Sequence, residues 1–217
     1  MRLAELSARS GVSTATIKFY LREGLLPPGR RLSATQAEYD ETHLRRLRLV
    51  RALIQVGGIP VATAREVLAA VDDEHLTRHD RLGVAVWAIP QPAPARTREA
   101  TAEETAAART QVEALLQRLG WPMAHLDSPP GQALVRTVAA LAGLGYPHDA
   151  ERLLPYARVA ERAAEADLDL LEHFTSEEEQ VEASVALTVL HEPVLLALRR
   201  LAQAEESARR TGRPEDR

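Results

Sequence analysis

Three polar side chains near the start of the chain recur at four-residue steps and could bind a polyanion. Thr14, Lys18 and Arg22 lie in the segment Thr14–Glu23, which is predicted to be a short helix. Residues four apart share one face of a helix, so a hydroxyl, an ammonium and a guanidinium group would be presented together. Such groups suit the phosphates and base edges of DNA, although a solvated amphipathic helix would show the same face.

The charge distribution favours a nucleic-acid-binding region at the start of the chain. The net charge of −4 divides unevenly between two regions. Residues 1–71 carry 11 basic and 6 acidic residues, a balance of +5, whereas residues 72–217 carry 16 basic and 25 acidic residues, a balance of −9. A small basic head on an acidic body indicates that the head meets a polyanion and the body does not.

The composition excludes several kinds of chemistry. The chain has no cysteine, so it can form neither disulfides nor thiolate metal sites, and it has no cysteine nucleophile. No apolar run approaches the ~20 residues of a membrane span. The first residues lack the apolar core of a signal peptide. We therefore expect a soluble cytoplasmic protein with no membrane partner.

Helix start and stop signals place the polar face on the second helix of a helix-turn-helix. A first helix is predicted over 2–9 and ends at Gly11, because glycine accepts the left-handed conformation that closes a helix. Ser13 is a suitable N-cap for the second helix, which Gly24 ends. Two short helices joined by a tight turn form a helix-turn-helix.

A hairpin and two further helices are predicted to complete the head. The segment 25–39 contains a Pro-Pro-Gly run and is too broken for a helix, so it is expected to form a small hairpin or loop. Asp40 caps a third helix that ends at Gly57-Gly58. Pro60 opens a fourth helix with an apolar stripe at helical spacing.

The rest of the chain is predicted to be helical. Residues 72–95 have a transitional composition and end in a proline-rich linker at 90–94. Helical apolar patterns then continue from Thr101 to Arg210, with a kink expected at Pro193. A disordered tail is expected from Thr211 onward.

A series of short motifs runs in order through the first 71 residues. They are Leu3-Ala4-Glu5-Leu6, Gly11-Val12-Ser13, Thr16-Ile17-Lys18-Phe19-Tyr20, Glu23-Gly24-Leu25-Leu26-Pro27-Pro28, Tyr39-Asp40, Leu44-Arg45-Arg46-Leu47, Gly57-Gly58-Ile59 and Arg65-Glu66-Val67-Leu68. In type and order they resemble the MerR family of bacterial transcription regulators. The resemblance covers a third of the chain.

That resemblance implies a winged helix-turn-helix head, a dimer formed through a long helix after the head, and binding to a two-fold symmetric promoter site. It further implies that an effector in the C-terminal domain lets the protein twist and kink a promoter spacer that is too long, so that polymerase can engage. The implied partners are double-stranded promoter DNA, a second copy of the chain, RNA polymerase and an effector. No cofactor is expected, and the expected location is the nucleoid.

The expected DNA contacts combine the polar face with the residues that match the family pattern. They are Ser13, Thr14, Thr16, Lys18, Phe19, Tyr20, Arg22, Arg30, Arg31 and Tyr39. Lys18 stands where the family usually has an arginine, so it offers a point charge without the bidentate fork. In the wing, Gln36 and Ala37 replace the usual tyrosine and arginine, and Glu38 would repel phosphate.

Three arginines of the third helix are further candidate phosphate contacts. They are Arg45, Arg46 and Arg48. An exposed, solvated helix face would show the same pattern.

The expected fold class is mainly α: a winged helix-turn-helix with a small β wing, a long dimerisation helix and an all-helical C-terminal domain. The pairing stripe of the dimerisation helix is predicted to be Val112, Leu115, Leu116 and Leu119. The expected segments are a DNA-binding domain over 1–72, a transitional segment and linker over 73–96, the dimerisation helix over 97–120, an effector-binding domain over 121–210 and a tail over 211–217.

The C-terminal domain is expected to hold a small organic effector rather than a thiol-bound metal. Candidate aromatic walls of its cavity are Trp121, Tyr146, Tyr156 and Phe174. Candidate apolar lining residues are Val181, Val185, Val189, Val194 and Leu198. Plain core packing would produce the same spacing. The seven histidines form no dense cluster, so no metal site is predicted.

Two other classes of protein compete with an effector-linked regulator. An excisionase-like or nucleoid architectural protein would share the winged head and lack an effector. An enzyme is not expected, because the chain has no nucleophile elbow, no Gly-x-x-x-x-Gly-Lys phosphate loop and no His-Glu-x-x-His pair. No catalytic residue is therefore assigned.

Overall fold

The computed structural model describes residues 1–33, 36–90 and 100–211. They form two compact units. The head unit is Met1–Val86 together with the segment from Phe174 onward, and the inserted unit is Trp87–His173. This grouping differs from the segments expected from the sequence, because the last helix belongs with the head and not with residues 121–173.

The predicted helix-turn-helix is present at the start of the head unit. Helix α1 spans Leu3–Ser10 and ends at Gly11, which has φ 67°. Helix α2 spans Thr14–Arg22, and its N-cap is Ser13. Gly11 thus ends α1 and Ser13 begins α2, as expected from the conformational freedom of glycine and the capping hydroxyl of serine.

The wing and a third helix follow. Strands β1 (Arg30–Arg31) and β2 (Ala37–Glu38) pair antiparallel, with Arg30 opposite Glu38 and Arg31 opposite Ala37. Helix α3 spans Glu41–Arg51 and begins at a capping box formed by Asp40 and His43. It continues into a π-helical turn over Ala52–Val56 that closes at Gly57.

Two helices complete the first part of the head unit. Helix α4 spans Val61–Val71, with Pro60 as its N-cap residue. Helix α5 spans Arg78–Ala88, where the sequence predicted only a transitional segment, so that prediction is wrong. Its buried residues are Arg81 and Ala85, which are four apart, and because one of them is an arginine the sequence shows no apolar stripe at this place. Residues 91–99, which hold most of the predicted linker, lie outside the described residues.

The last helix, α9, closes the core of the head unit. It spans Glu177–Thr211 without interruption, and Pro193 lies inside it. Val181, Val185 and Val189 are buried against α3, the π-helical turn and α4. Thr211 is helical although it was assigned to the disordered tail, and the rest of that tail, 212–217, lies outside the described residues.

The inserted unit is a layer of three helices. They are α6 (Ala102–Leu119), α7 (Pro129–Gly143) and α8 (Ala150–Leu171). Helix α6 packs against both of the others, and one core cluster joins its Ala108 and Val112 to Val138 of α7. A second cluster joins Leu115 and Leu119 to Ala150 of α8.

This packing corrects the predicted pairing stripe. Val112, Leu115 and Leu119 are buried inside their own chain, and Leu116 packs against the same clusters. Val112, Leu115 and Leu119 are thus covered by α7 and α8, and only the half-buried Leu116 keeps an accessible surface. The periodicity correctly marked a buried face, but what covers that face is another part of the same chain.

Among the described residues, α9 alone is long and apolar enough to cross a membrane by length and composition. A single such helix is weak evidence, because core helices of soluble proteins share these properties. The valines of its first half are core residues of the head unit, and Glu182 lies among them.

Candidate nucleic-acid interface

Helix α2 presents the polar face that its sequence predicts. Its inner side is anchored by Ile17, which is fully buried. Thr14, Lys18 and Arg22 are exposed. The three side chains stand on the side of the helix that a DNA groove could meet.

The start of α2 is held by its capping residue. The Ser13 hydroxyl accepts a hydrogen bond from the Thr16 backbone N–H at 3.1 Å and lies 2.8 Å from the Thr16 hydroxyl. Both side chains are thus used in closing the helix end. They remain at its N-terminus, where the unpaired backbone N–H groups favour an anion such as a phosphate.

The aromatic residues of the predicted DNA site have different roles. Phe19 is half-buried, and the Arg22 guanidinium carbon lies 5.4 Å from the centre of its ring, which holds the arginine against the helix. Tyr20 is 3% exposed and Tyr39 is 6% exposed, so both are core residues and not DNA contacts. The Tyr39 ring stands edge-on to His43 at 5.2 Å between centroids. Bulky aromatic side chains next to basic ones here serve the packing of the head.

The wing carries two exposed arginines, and one of them is paired with a carboxylate. Arg30 donates a hydrogen bond to the Glu38 carboxylate across the two strands. This bond lowers the pKa of Glu38, so the carboxylate stays charged but is neutralised by its partner. Arg31 lies opposite the small Ala37 and is exposed. Gln36 accepts a hydrogen bond from Arg2 at 2.7 Å.

Two arginines of α3, Arg45 and Arg46, are paired with carboxylates of the head unit. Arg45 lies 3.2 Å from Glu179 and 3.5 Å from Glu182. Arg46 pairs with Asp72 and lies 3.9 Å from Glu182. Only Arg48 of the three is exposed. The expectation that Arg45 and Arg46 contact phosphate is therefore wrong, because both are held by carboxylates of the same unit.

These contacts form a partly buried charge network between α3, α4 and α9. Burial raises the pKa of Glu182, while the charges of Arg46 and Arg45 oppose that rise. A further ion pair, between Arg81 and Glu177, joins α5 to the first turn of α9. Sequence reasoning missed this network, although the acidic run that begins at Glu177 was a signal for basic partners.

The residues predicted for the effector site are divided between the two units. Trp121 lies in the inserted unit, where its indole N–H donates to Glu161 at 3.0 Å, whereas Phe174 belongs to the head unit. Tyr146 and Tyr156 are exposed on the inserted unit. Val181, Val185 and Val189 are core residues of the head unit, whereas Val194 and Leu198 are exposed.

The inserted unit has an open groove of about 560 Å³ beside Trp121. Arg109, Glu113, His125 and Asp127 also line it. Within the part of the chain that the structure describes, no group of three or more His, Asp or Glu side chains could hold a metal ion.

Known proteins are similar to this chain over its head alone or over its full length. The model of the MerR HTH family of regulatory proteins matches residues 1–71. The crystal structure of the "putative transcriptional regulator SCO5550" from Streptomyces coelicolor A3(2) aligns over 100% of both chains, with 57% sequence identity and a TM-score of 0.81. Residues 1–71 therefore carry the helix-turn-helix head of the MerR family, and the whole chain is similar to a putative transcriptional regulator.

A curated MerR relative matches a shorter stretch. The HTH-type transcriptional regulator ZntR homolog of Haemophilus influenzae is 36% identical over 50 residues, which are 23% of this chain. The aligned part spans 37% of that relative's length. The match to the MerR family thus rests on the head, residues 1–71, and it confirms the winged head expected from the sequence motifs.

Proposed function

We propose that this protein is a dimeric, sequence-specific transcription regulator of the MerR family that distorts a promoter in response to an effector. The observation that carries the proposal is the exposed face of Thr14, Lys18 and Arg22 on α2, beside the exposed Arg31 of the wing. Its partners are double-stranded promoter DNA, a second copy of the chain and RNA polymerase. Its place of action is the cytoplasm, at the nucleoid.

The residues of this face contact different parts of the DNA. Lys18 and Arg22 supply charge to phosphates, and the N-terminal turn of α2 brings Thr14 towards base edges. Arg31 contacts the backbone beside the groove. Because Arg30 is paired with Glu38, the wing contributes one charge rather than two, which suits positioning more than specificity.

Dimerisation requires a surface other than the one predicted on α6, since that stripe is covered. A two-fold symmetric site calls for two heads held at a fixed spacing, as in other helix-turn-helix dimers. Helix α9 has an uncovered apolar stripe beyond its buried half, and it belongs to the head unit itself. A dimer through α9 would therefore join the two heads directly.

The effector is a small organic molecule. Thiolate coordination is excluded because the chain has no cysteine. The groove beside Trp121 offers an aromatic ring, a carboxylate and a guanidinium group, which suit a ligand with both apolar and polar parts. In this proposal the ligand changes the relative populations of two states of the DNA-bound protein.

The first test is a binding titration at fixed physiological salt. The duplex upstream of the protein's own gene is compared with a scrambled duplex of equal length. A preference of ~10³-fold or more is expected for a sequence-specific regulator. Equal, weak binding to both duplexes, and to many others, would favour the architectural alternative.

A second readout uses the chain's single lysine, Lys18. Amine-reactive reagents can label Lys18 and the N-terminal amine, and the latter donates a hydrogen bond to the Tyr39 carbonyl at 2.6 Å. We expect the cognate duplex to protect Lys18 more strongly than the scrambled duplex does, with the N-terminal amine as internal reference. Equal labelling with both duplexes would show that Lys18 does not lie in the sequence-specific interface.

A further inference from the structure

The groove of the inserted unit lies between one exposed face of α6 and the loop that joins α6 to α7. Arg109, Glu113 and Gln117 lie four residues apart on α6, so their side chains share the face that forms the floor of the groove. The loop that begins at Trp121 and reaches Asp127 forms the facing wall. The groove is open to solvent, and its volume of about 560 Å³ is that of a small-molecule site.

Hydrogen bonds and close packing hold this loop in place. The Ser128 hydroxyl donates to the His125 carbonyl at 2.6 Å and accepts from the Gly131 N–H at 3.2 Å, which fixes the end of the loop to the first turn of α7. A Cβ atom added at Gly131 would lie 2.4 Å from the His125 carbonyl oxygen. At its other end the loop follows Gly120, which has φ 68° and closes α6. The groove is therefore formed before a ligand arrives, which reduces the entropy that binding costs.

An ion pair joins the floor of the groove to its wall. Arg109 donates a hydrogen bond to the Asp127 carboxylate at 2.9 Å, which ties α6 to the end of the loop. The two opposite charges offset each other. Among the described residues that line the groove, Arg109 is the one arginine or lysine. Its pairing therefore leaves little positive charge there for an anionic ligand.

Glu113 lies one helical turn after Arg109 and supplies the remaining charge. It is exposed, and within the described parts of the chain its side chain forms neither an ion pair nor a hydrogen bond. With His125 neutral, the lining residues that the structure describes carry one uncompensated negative charge. This charge gives the groove a preference for a cation.

Trp121 adds an aromatic surface to the same groove. Its indole N–H donates to Glu161 at 3.0 Å, and hydrogen bonds from Arg158 and then Trp121 lower the pKa of Glu161, so this acceptor stays charged. The indole packs on the cluster of Leu115 and Leu119 and is half-buried, and its accessible surface lines the groove. Because the N–H already has an acceptor, the ring itself is what the indole offers to a ligand. An aromatic ring and a carboxylate in one groove both attract an organic cation.

We propose that the groove binds a monovalent organic cation, an ammonium or guanidinium group that carries an apolar body. The proposal deepens the proposed function, since it rests on the effector site placed in this groove, and it names the chemistry of the effector. The charged group lies beside the Glu113 carboxylate, and the apolar body lies against Trp121 and Leu116. A neutral ligand would cover the carboxylate without replacing the water that solvates it. A metal ion fits less well, because no group of three His, Asp or Glu side chains among the described residues could hold one.

The direct test follows binding through the fluorescence of Trp121. The chain has two tryptophans, so Trp87→Phe leaves Trp121 as the single reporter. The probes are three molecules of similar size at constant ionic strength: benzylammonium, benzyl alcohol and benzoate. We expect a saturable change with benzylammonium at a dissociation constant of about 1 mM or lower, a weaker response to benzyl alcohol and none to benzoate. An equal response to all three, or none to benzylammonium, would overturn the proposal.

A second test removes the charge of Glu113 and keeps its shape. Glu113→Gln is expected to raise the dissociation constant of benzylammonium by about tenfold or more and to leave that of benzyl alcohol nearly unchanged. Glu103→Gln is the matched control, because Glu103 is exposed on the same helix and does not line the groove. Equal weakening in both variants would indicate a general attraction to the acidic surface and contradict the proposal. Unchanged binding in Glu113→Gln would contradict it as well.

These experiments contain no DNA, so they separate the two proposals. A protein that binds benzylammonium through Glu113 but shows no operator preference refutes the proposed function alone. A protein that prefers its operator but whose groove binds no benzylammonium refutes this inference alone.

Discussion

The head unit has two arginine-bearing faces that look alike in sequence and differ in the structure. Helix α2 exposes Lys18 and Arg22 to solvent, whereas α3 directs Arg45 and Arg46 onto carboxylates of α9 and onto Asp72. The same positive charge therefore supports binding on one face and folding on the other. Counting basic residues in a head cannot tell these uses apart, because the carboxylates of α9 lie more than a hundred residues farther along the chain.

The largest effect on stability is expected for Arg46→Ala. The change removes the partner of Asp72 and leaves Glu182 in a partly buried site with one arginine fewer. We expect the free energy of unfolding to fall by about 3 kcal/mol, as when one member of a buried ion pair is lost. Urea denaturation measures it. Arg31→Ala on the DNA-facing wing is the control, and a similar small effect in both variants would refute the distinction.

A second variant tests how closely α9 fits the head. A Cβ atom added at Gly57 would lie 2.3 Å from Cγ1 of Val189 and 2.9 Å from the Leu53 carbonyl oxygen. Gly57→Ala is therefore expected to cost about 2 kcal/mol of unfolding free energy through overpacking.

The neighbouring Gly58 provides the control for Gly57. Nothing lies within 4 Å of its added Cβ, but its φ is 63°. Gly58→Ala should cost about 1 kcal/mol from backbone strain alone. Adding Val189→Ala should relieve the Gly57→Ala variant and leave Gly58→Ala unrelieved, as a double-mutant cycle would show.

A third variant concerns the start of α3, which orients the arginine face. The Asp40 carboxylate accepts hydrogen bonds from the backbone N–H groups of Thr42 and His43. Asp40→Ala is expected to cost about 1 kcal/mol of unfolding free energy through loss of the cap. Asp40→Asn retains an acceptor and should lose much less.

The same carboxylate gives a pH dependence of known sign. Hydrogen bonds from Thr42 and then His43 lower the pKa of Asp40 below its ordinary value. The stabilisation from the charged form is therefore complete above the unfolded-state pKa and is lost as the pH falls towards the lower folded-state pKa. Chemical denaturation at neutral and acidic pH should show this loss in the wild type and a weaker loss in Asp40→Asn. Parallel pH profiles would contradict it.

The smallest effect on stability is expected for Lys18→Ala. The side chain is exposed, so the free energy of unfolding should change by less than about 0.5 kcal/mol. Operator binding should weaken. The magnitude of the slope of log affinity against log salt should fall by about 1, because a protein that makes one phosphate contact fewer releases fewer counterions on binding. Lys18→Arg should keep the slope. An unchanged slope for Lys18→Ala would place Lys18 away from phosphate.

Sequence signals that depend on neighbouring residues predicted much of the head. Contacts between residues far apart in the chain could not be predicted from them. Ser13, Asp40 and Gly11 cap helices as expected, since capping depends on a few neighbouring residues. The apolar period of α6 correctly indicated a buried face but could not say that α7 and α8 cover it. Tyr20 was assigned to DNA because it matches the family's aromatic pair, and a match in residue type does not show whether the side chain is exposed or buried.

The position of α9 has a consequence for the order in which the protein forms. Its valines close the head core, yet the ribosome makes the whole inserted unit, Trp87–His173, before it reaches them. At ordinary translation rates the nascent head waits on the order of ten seconds for its last helix. During that interval the π-helical turn and the arginines of α3 stand open, so the unfinished chain offers an apolar surface to chaperones and to neighbouring nascent chains.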